Sequence, residues 1–261
     1  MTTILFIGDI FARSGRRAVR ELLDEVVAEN DVDFVVANAE NSAGGFGLTR
    51  EIARELFDYG CDVLTGGNHT WDKREIQQLL EDDERVLRPH NYPADNPGSG
   101  MAVRTVDGVT IAVLNLQGRV FMPPTDCPFQ AADRLIASVQ DEADIIVVDL
   151  HAEATSEKYA MAWYLDGRVA ALVGTHTHVQ TADEQVFPQG MAYISDLGMT
   201  GPHKSIIGVK VEQSLGRFLN SRPCRFEAAK DDVRFHGVVV DVDEDSGRAR
   251  EIRRIQHRLK S

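Results

Sequence analysis

Val169-Ala170-Ala171-Leu172-Val173-Gly174-Thr175-His176-Thr177-His178 is a short apolar run that ends on two histidines with a single residue between them. An apolar run of this length, closed by glycine, reads as a strand buried on both faces. The same grammar occurs earlier in the chain. Residues 4–7 end at Gly8-Asp9, 34–37 at Glu40-Asn41, 62–65 at Gly67-Asn68-His69, and 145–148 at Asp149-Leu150-His151. Each run is followed within a few residues by a carboxylate, an amide or an imidazole. In open α/β sheets ligands bind beyond the carboxyl ends of strands, so donors placed there converge if their strands run the same way.

Between these runs lie segments of helical period. Val19, Leu22, Leu23, Val26 and Val27 mark a helix over residues 16–29. Thr49 is suited to cap a helix carrying Ile52, Leu56 and Phe57. Further helices are expected near residues 72–80, 131–140 and 156–165. The alternation pauses at 88–100, rich in Pro, Asn and Gly, and at the Pro-rich 118–128, both read as loop excursions. Asp107-Gly108 marks a hairpin between residues 101–105 and 110–114, and a terminal hairpin joins 235–242 to 250–255. Residues 191–194 and 208–211 read as short strands, and 197–203, after a strand, as either a border of the substrate pocket or, more readily, a plain surface loop. The whole, residues 1–261, is read as a single domain with loop insertions near 88–100 and 118–130.

Formal charge is −13, so an acidic surface argues against electrostatic binding of extended DNA or RNA. A small anionic substrate stays open, because bound cations invert the local field. Cys61, Cys127 and Cys224 form no CxxC pair and no disulfide framework, which points to a reducing cytoplasm. No apolar run approaches the roughly 20 residues that span a bilayer, and no signal peptide opens the chain.

Carboxylate oxygen, amide oxygen and imidazole nitrogen together form a donor set for transition-metal ions. So many donors suggest a pair of ions, and paired ions suggest phosphoester hydrolysis: they acidify a shared water and neutralise phosphoryl oxygens. Glu40 has two oxygens that can serve two ions. Glu40 and Asn41 are adjacent and reach one cluster only if the chain turns, which Gly44 and Gly45 allow. His69 can stand outside the coordination and protonate a leaving oxygen. His151 alone reads more readily as a core histidine. No Ser-His-Asp elbow, GxxxxGK[ST] loop or strand-linked GxGxxG is present.

Asp9, Asn68-His69, His151 and His176-x-His178 resemble the motif series of calcineurin-like metallophosphoesterases. The stretches 38–45, 66–71, 115–119 and 174–178 resemble one bacterial branch, the YmdB-type phosphodiesterases acting on 2′,3′-cyclic nucleotides. The resemblance implies a four-layer α/β sandwich with a dinuclear metal site at strand carboxyl ends. It implies one ion on Asp9, Glu40, Asn41 and His178, and another on Glu40, Asn68, His151 and His176. Glu40 would bridge and His69 would be catalytic. The cofactors implied are divalent or trivalent transition-metal ions, iron or manganese. Phe11 stands where the wider superfamily has a ligand histidine, and Thr70 where it has an acid after Asn-His; these departures leave the orientation of His69 open, and Asp72 is a candidate that spacing alone does not establish.

The sequence therefore reads as a cytoplasmic phosphodiesterase for a small cyclic nucleotide, with no membrane contact and with a homo-oligomer left open. A lid of Arg119, Phe121 and Met122 is a further candidate. The rival readings are a regulatory or scaffold protein with a mainly structural metal site, and a dinuclear hydrolase of phosphomonoesters.

Overall fold

A computed structural model describes residues 1–260; Ser261, the end of the expected domain, lies outside the described residues. The chain runs β1 (Thr2–Ile7), β2 (Asp9–Ile10), α1 (Ala12–Asn30), β3 (Phe34–Asn38), α2 (Arg50–Asp58), β4 (Val63–Thr65), a short 3-10 turn (Thr70–Asp72) and α3 (Ile76–Asp82). It continues with β5 (Met101–Val106), β6 (Val109–Gln117), α4 (Pro128–Val139), β7 (Ile145–His151), α5 (Thr155–Leu165) and β8 (Ala171–Thr175). The last part holds β9 (Gln185–Val186), β10 (Ala192–Ile194), β11 (Met199–Pro202), α6 (Val211–Asn220), β12 (Val233–Asp243) and β13 (Arg248–Arg258).

The strands form two sheets rather than one. The first has the order β2-β11-β12-β1-β3-β4, with β13 also paired to β12; the second has the order β5-β6-β7-β8-β10-β9. Alternation along the strands explains why the runs are apolar throughout. Ile4 and Phe6 of β1 face the second sheet and pack with Val113, Val147 and Val173, whereas Leu5 and Ile7 face α1 and α2 with Val19, Leu23 and Leu56. On the far side, Leu114, Val148 and Leu172 pack against α4 and α5 through Leu135, Ile136 and Met161. The result is the helix–sheet–sheet–helix sandwich expected. Each fully buried Leu, Ile or Phe contributes ~1.5–3 kcal/mol, so the double-faced strands hold the layers together.

β1, β3 and β4 run parallel in one sheet, and β7 and β8 run parallel in the other. The donors thus arrive at one rim from both sheets. Thr49 caps α2, its Oγ1 accepting from Ile52 N–H at 3.3 Å. Asp107 and Gly108 take positive φ of 48° and 88° at the β5–β6 turn, as the hairpin requires. No helix among the described residues is long and apolar enough to cross a membrane.

Three expectations need correction. Val211 is not the end of a strand: it opens α6, preceded by isolated bridges at Val209. The segment 197–203 is not a surface loop, because Met199–Pro202 forms β11, buried and paired with Asp9–Ile10. The helix expected over 72–80 is a 3-10 turn followed by α3 from Ile76. That break leaves His69 and Asp72 on the tight turn.

Candidate functional site

The backbone beyond β3 turns at once. Ser42 N–H and Oγ both bond to Ala39 O, at 3.1 and 2.7 Å, and Glu40 N–H donates to Asn38 Oδ1 at 3.2 Å. This turn brings the adjacent Glu40 and Asn41 side chains to one place, with Asn41 Nδ2 donating to Glu40 Oε1 at 3.0 Å.

Two groups of donors form around Glu40. In the first, Asn41 Nδ2 lies 3.2 Å from His178 Nε2 and 3.5 Å from Asp9 Oδ1. Three electron-rich atoms thus converge on one N–H group, in the place a cation would take; reversing the amide would offer its oxygen instead. In the second, His151 Nε2 lies 3.0 Å from Asn68 Oδ1, 3.0 Å from His176 Nδ1 and 3.1 Å from Glu40 Oε1. Ligand atoms of Glu40, His151 and His176 all lie within 4.8 Å of one another. Glu40 is common to both groups. Gly67 leaves room for them: a Cβ there would collide with Glu40 Oε2 and the His151 ring. The mixed oxygen and nitrogen donors, and this cradle, fit a bound metal ion.

Burial and charge set the protonation. Burial lifts Asp9 to about 6, against the pull of His178 and His151. Burial would also raise Glu40, but His151 and the His69 N–H, which donates to Glu40 Oε2 at 3.0 Å, hold it well below the usual carboxylate range. His151 is the counterpart. Burial would lower it, and Glu40 raises it to about 9. In the metal-free protein a proton therefore neutralises the Glu40–His151 pair, the part a cation would take over. Burial and the neighbouring His151 push His176 down to about 3.

Residues to which the sequence alone gave no role hold these rings. Thr175 Oγ1 donates to the buried Asp149 carboxylate at 2.7 Å, so it accepts from His151 Nδ1–H at 2.9 Å and directs Nε2 toward the cluster. Thr65 and Asn38 also donate to Asp149. His178 Nδ1–H donates to Ile207 O at 2.9 Å, which turns its Nε2 toward Asp9. His176 and His178 both take positive φ, 103° and 66°, a strain of ~1–3 kcal/mol each for non-glycine residues. A buried Lys158–Asp196 pair clamps that segment. Lys158 Nζ bonds Asp196 at 2.8 Å and Thr175 O at 2.9 Å, and Asp196 accepts from Thr177 N–H at 3.0 Å and Oγ1 at 2.8 Å. The only sequence signal was a charge interrupting an apolar run at Asp149; nothing in α5 marked Lys158.

His69 differs from the other histidines. It contributes to neither group of donors, its side chain is 29% exposed, and its Nδ1 lies 2.8 Å from Asp72 Oδ2. Phe46 packs its ring edge on it at 4.9 Å. A cavity of about 330 Å³ opens above the cluster, with Glu40, Asn41, His69, Glu153, His176 and His178 on its floor and Phe11, Phe46, Ile207, Val209 and Phe226 among its walls. Phe11, which cannot ligate, packs against the His178 ring at 5.7 Å. Arg119, Phe121 and Met122 do not line this cavity. Arg119 N–H instead donates to Glu157, and Phe121 is 90% exposed.

A model of the YmdB-like protein family matches residues 5–255. The chain is 46% identical over 252 residues to a 2′,3′-cyclic-nucleotide 2′-phosphodiesterase of Bacillus subtilis (strain 168), covering 97% of this chain and 96% of that protein. A crystal structure of a hypothetical protein from Thermus thermophilus superposes with a TM-score of 0.93 at 44% identity, over 99% of this chain and all of that one. A novel phosphatase of Mycoplasma pneumoniae superposes with a TM-score of 0.93 at 33% identity, over 98% of this chain and 93% of that one.

Proposed function

Because the chain belongs to the YmdB-like protein family, we propose that it is a dinuclear-metal phosphodiesterase that opens 2′,3′-cyclic nucleotides. The observation that carries the reading is the single carboxylate of Glu40 shared by two donor groups, with His69 outside both and facing the cavity. On this reading Asp9, Glu40, Asn41 and His178 hold one ion, and Glu40, Asn68, His151 and His176 hold the other. The oxygen and nitrogen donors suit iron or manganese. When bound, the ions supply Lewis acidity toward water and toward the phosphoryl oxygens.

The remaining steps belong to the chain's own residues. Asp72 accepts the Nδ1 proton of His69 and leaves Nε2 toward the cavity. From Nε2 a proton passes to the departing ribose oxygen, while Asp72 keeps the ring oriented through its Nδ1. The walls of Phe46, Ile207 and Phe226 offer apolar surface to a base. The free thiols of Cys61, Cys127 and Cys224 suit a reducing cytoplasm.

The test is metal analysis of protein purified without chelator, together with rates on a panel of cyclic nucleotides, linear diesters and monoesters. About two ions per chain and fastest turnover of the 2′,3′-cyclic diesters are expected. A metal-free protein, or one that prefers monoesters, would overturn the reading.

A further inference from the structure

Each of the three histidines aimed at the cluster has one ring nitrogen facing inward and the other held by a different acceptor. His151 Nδ1 meets Thr175 Oγ1, and His178 Nδ1 meets Ile207 O. For His176 the nitrogens are reversed. Its Nδ1 faces His151 Nε2 at 3.0 Å, and its Nε2 lies 3.1 Å from Glu153 Oε2. Glu153 is half-exposed, stands just beyond the end of β7, and lines the cavity.

We propose that Glu153 is a positioning residue. It takes the Nε2–H of His176 and thereby fixes the tautomer and the ring plane in which Nδ1 is a bare donor. The argument is geometric. His151 Nδ1–H donates to Thr175 Oγ1, whose hydroxyl donates to Asp149, so Nε2 is the nitrogen that a cation would take from its proton. If His176 Nδ1 is to share a cation with His151, its proton must sit on Nε2, which faces Glu153. A carboxylate there stabilises that tautomer, makes Nδ1 more basic, and restrains a ring carried on a backbone of positive φ. Among the three acceptors, Glu153 is the only side chain that touches both the ring and the open cavity. A change there alters the ion's environment without disturbing the core.

The inference rests on the metallophosphoesterase reading, and its test separates the two. Manganese is titrated into chelator-stripped wild-type, Glu153→Ala and Glu153→Gln proteins. Circular dichroism checks the fold, and the ¹⁵N shifts of His176 report its tautomer in zinc-loaded protein. Glu153→Ala should weaken one of the two binding events by roughly 10-fold or more, leave the other unchanged, and mix the His176 tautomers. Glu153→Gln keeps an acceptor oxygen and should recover most of the loss. Wild-type affinity for both ions in Glu153→Ala, or a Gln variant as impaired as the Ala variant, overturns the role of Glu153 alone. A wild-type protein that takes up no manganese overturns the reading and this inference with it.

Discussion

His151 and His236 are both buried, with 0% and 5% of their surface exposed, and both sit on central strands. They are otherwise opposite. Both nitrogens of His151 are engaged, by Thr175 on one side and by Glu40, Asn68 and His176 on the other. Among the described residues neither nitrogen of His236 has a hydrogen-bond partner, and its ring leans on His203 at 4.4 Å. Burial pushes His236 down to about 3, helped by His203 and Arg234. The same burial acts on His151, yet Glu40 carries it up to about 9. Burial alone makes a histidine neutral and inert; burial beside a shared carboxylate makes it a place for a proton or a metal ion.

The sharpest way to break this contrast is to remove the carboxylate. Glu40→Ala should abolish metal uptake and turnover together and make His151 titrate as a neutral buried group. Losing one partner of a buried ion pair should also cost the metal-free protein about 3–5 kcal/mol, read by denaturant unfolding. A variant that keeps its metal and its rate would show that Glu40 is not shared.

His69 lies at the other extreme, partly exposed at the cavity. His69→Ala should lower kcat roughly 10²–10⁴-fold with metal content intact, since general acids contribute on that scale. Loss of metal in this variant would instead make His69 a ligand. Thr175→Val keeps the shape but removes the acceptor behind His151. Metal affinity should fall roughly 10-fold, while the same titration on His236→Phe should show no change.

The smallest effect is in the pH dependence. His151 has a folded value raised to about 9 from an ordinary 6.5. Its contribution to the metal-free protein is therefore full below 6.5 and fades as pH rises through 9. His236 has a folded value lowered to about 3, so stability is lost as pH falls from 6.5 toward 3. A cation must displace the His151 proton, so metal affinity should rise from pH 6.5 to 9. The gap in Tm between metal-loaded and stripped protein should widen over the same window. A constant gap would contradict a proton on His151, and an unchanged acid slope in His236→Phe would contradict the assignment to His236.

Much of this was legible in the chain. The apolar runs 4–7, 34–37 and 145–148, and 171–173 of the run 169–173, became buried strands because residues packed on both faces leave no polar alternation. Asp72 beside His69 was legible as a candidate, and the hydrogen bond between them settled it. Helix α6 was not legible. Gly216 interrupts it, and Leu215, Phe218 and Leu219 stay exposed, so its pattern does not mark a face turned to the core. Glu153, Lys158 and Asp196 were equally hidden, because each acts on a histidine loop that folding alone brings near.

By itself the sequence determined which residue types end each strand, and hence the kind of chemistry they can support. That information is local, since an apolar run fixes a strand and its last residues fix the donor. Only the tertiary structure brought atoms of Glu40, Asn68, His151 and His176 together and set His151 apart from His236. Those outcomes depend on distances of about 3 Å between residues far apart in the chain, and on fields that burial strengthens. No spacing along a sequence specifies them.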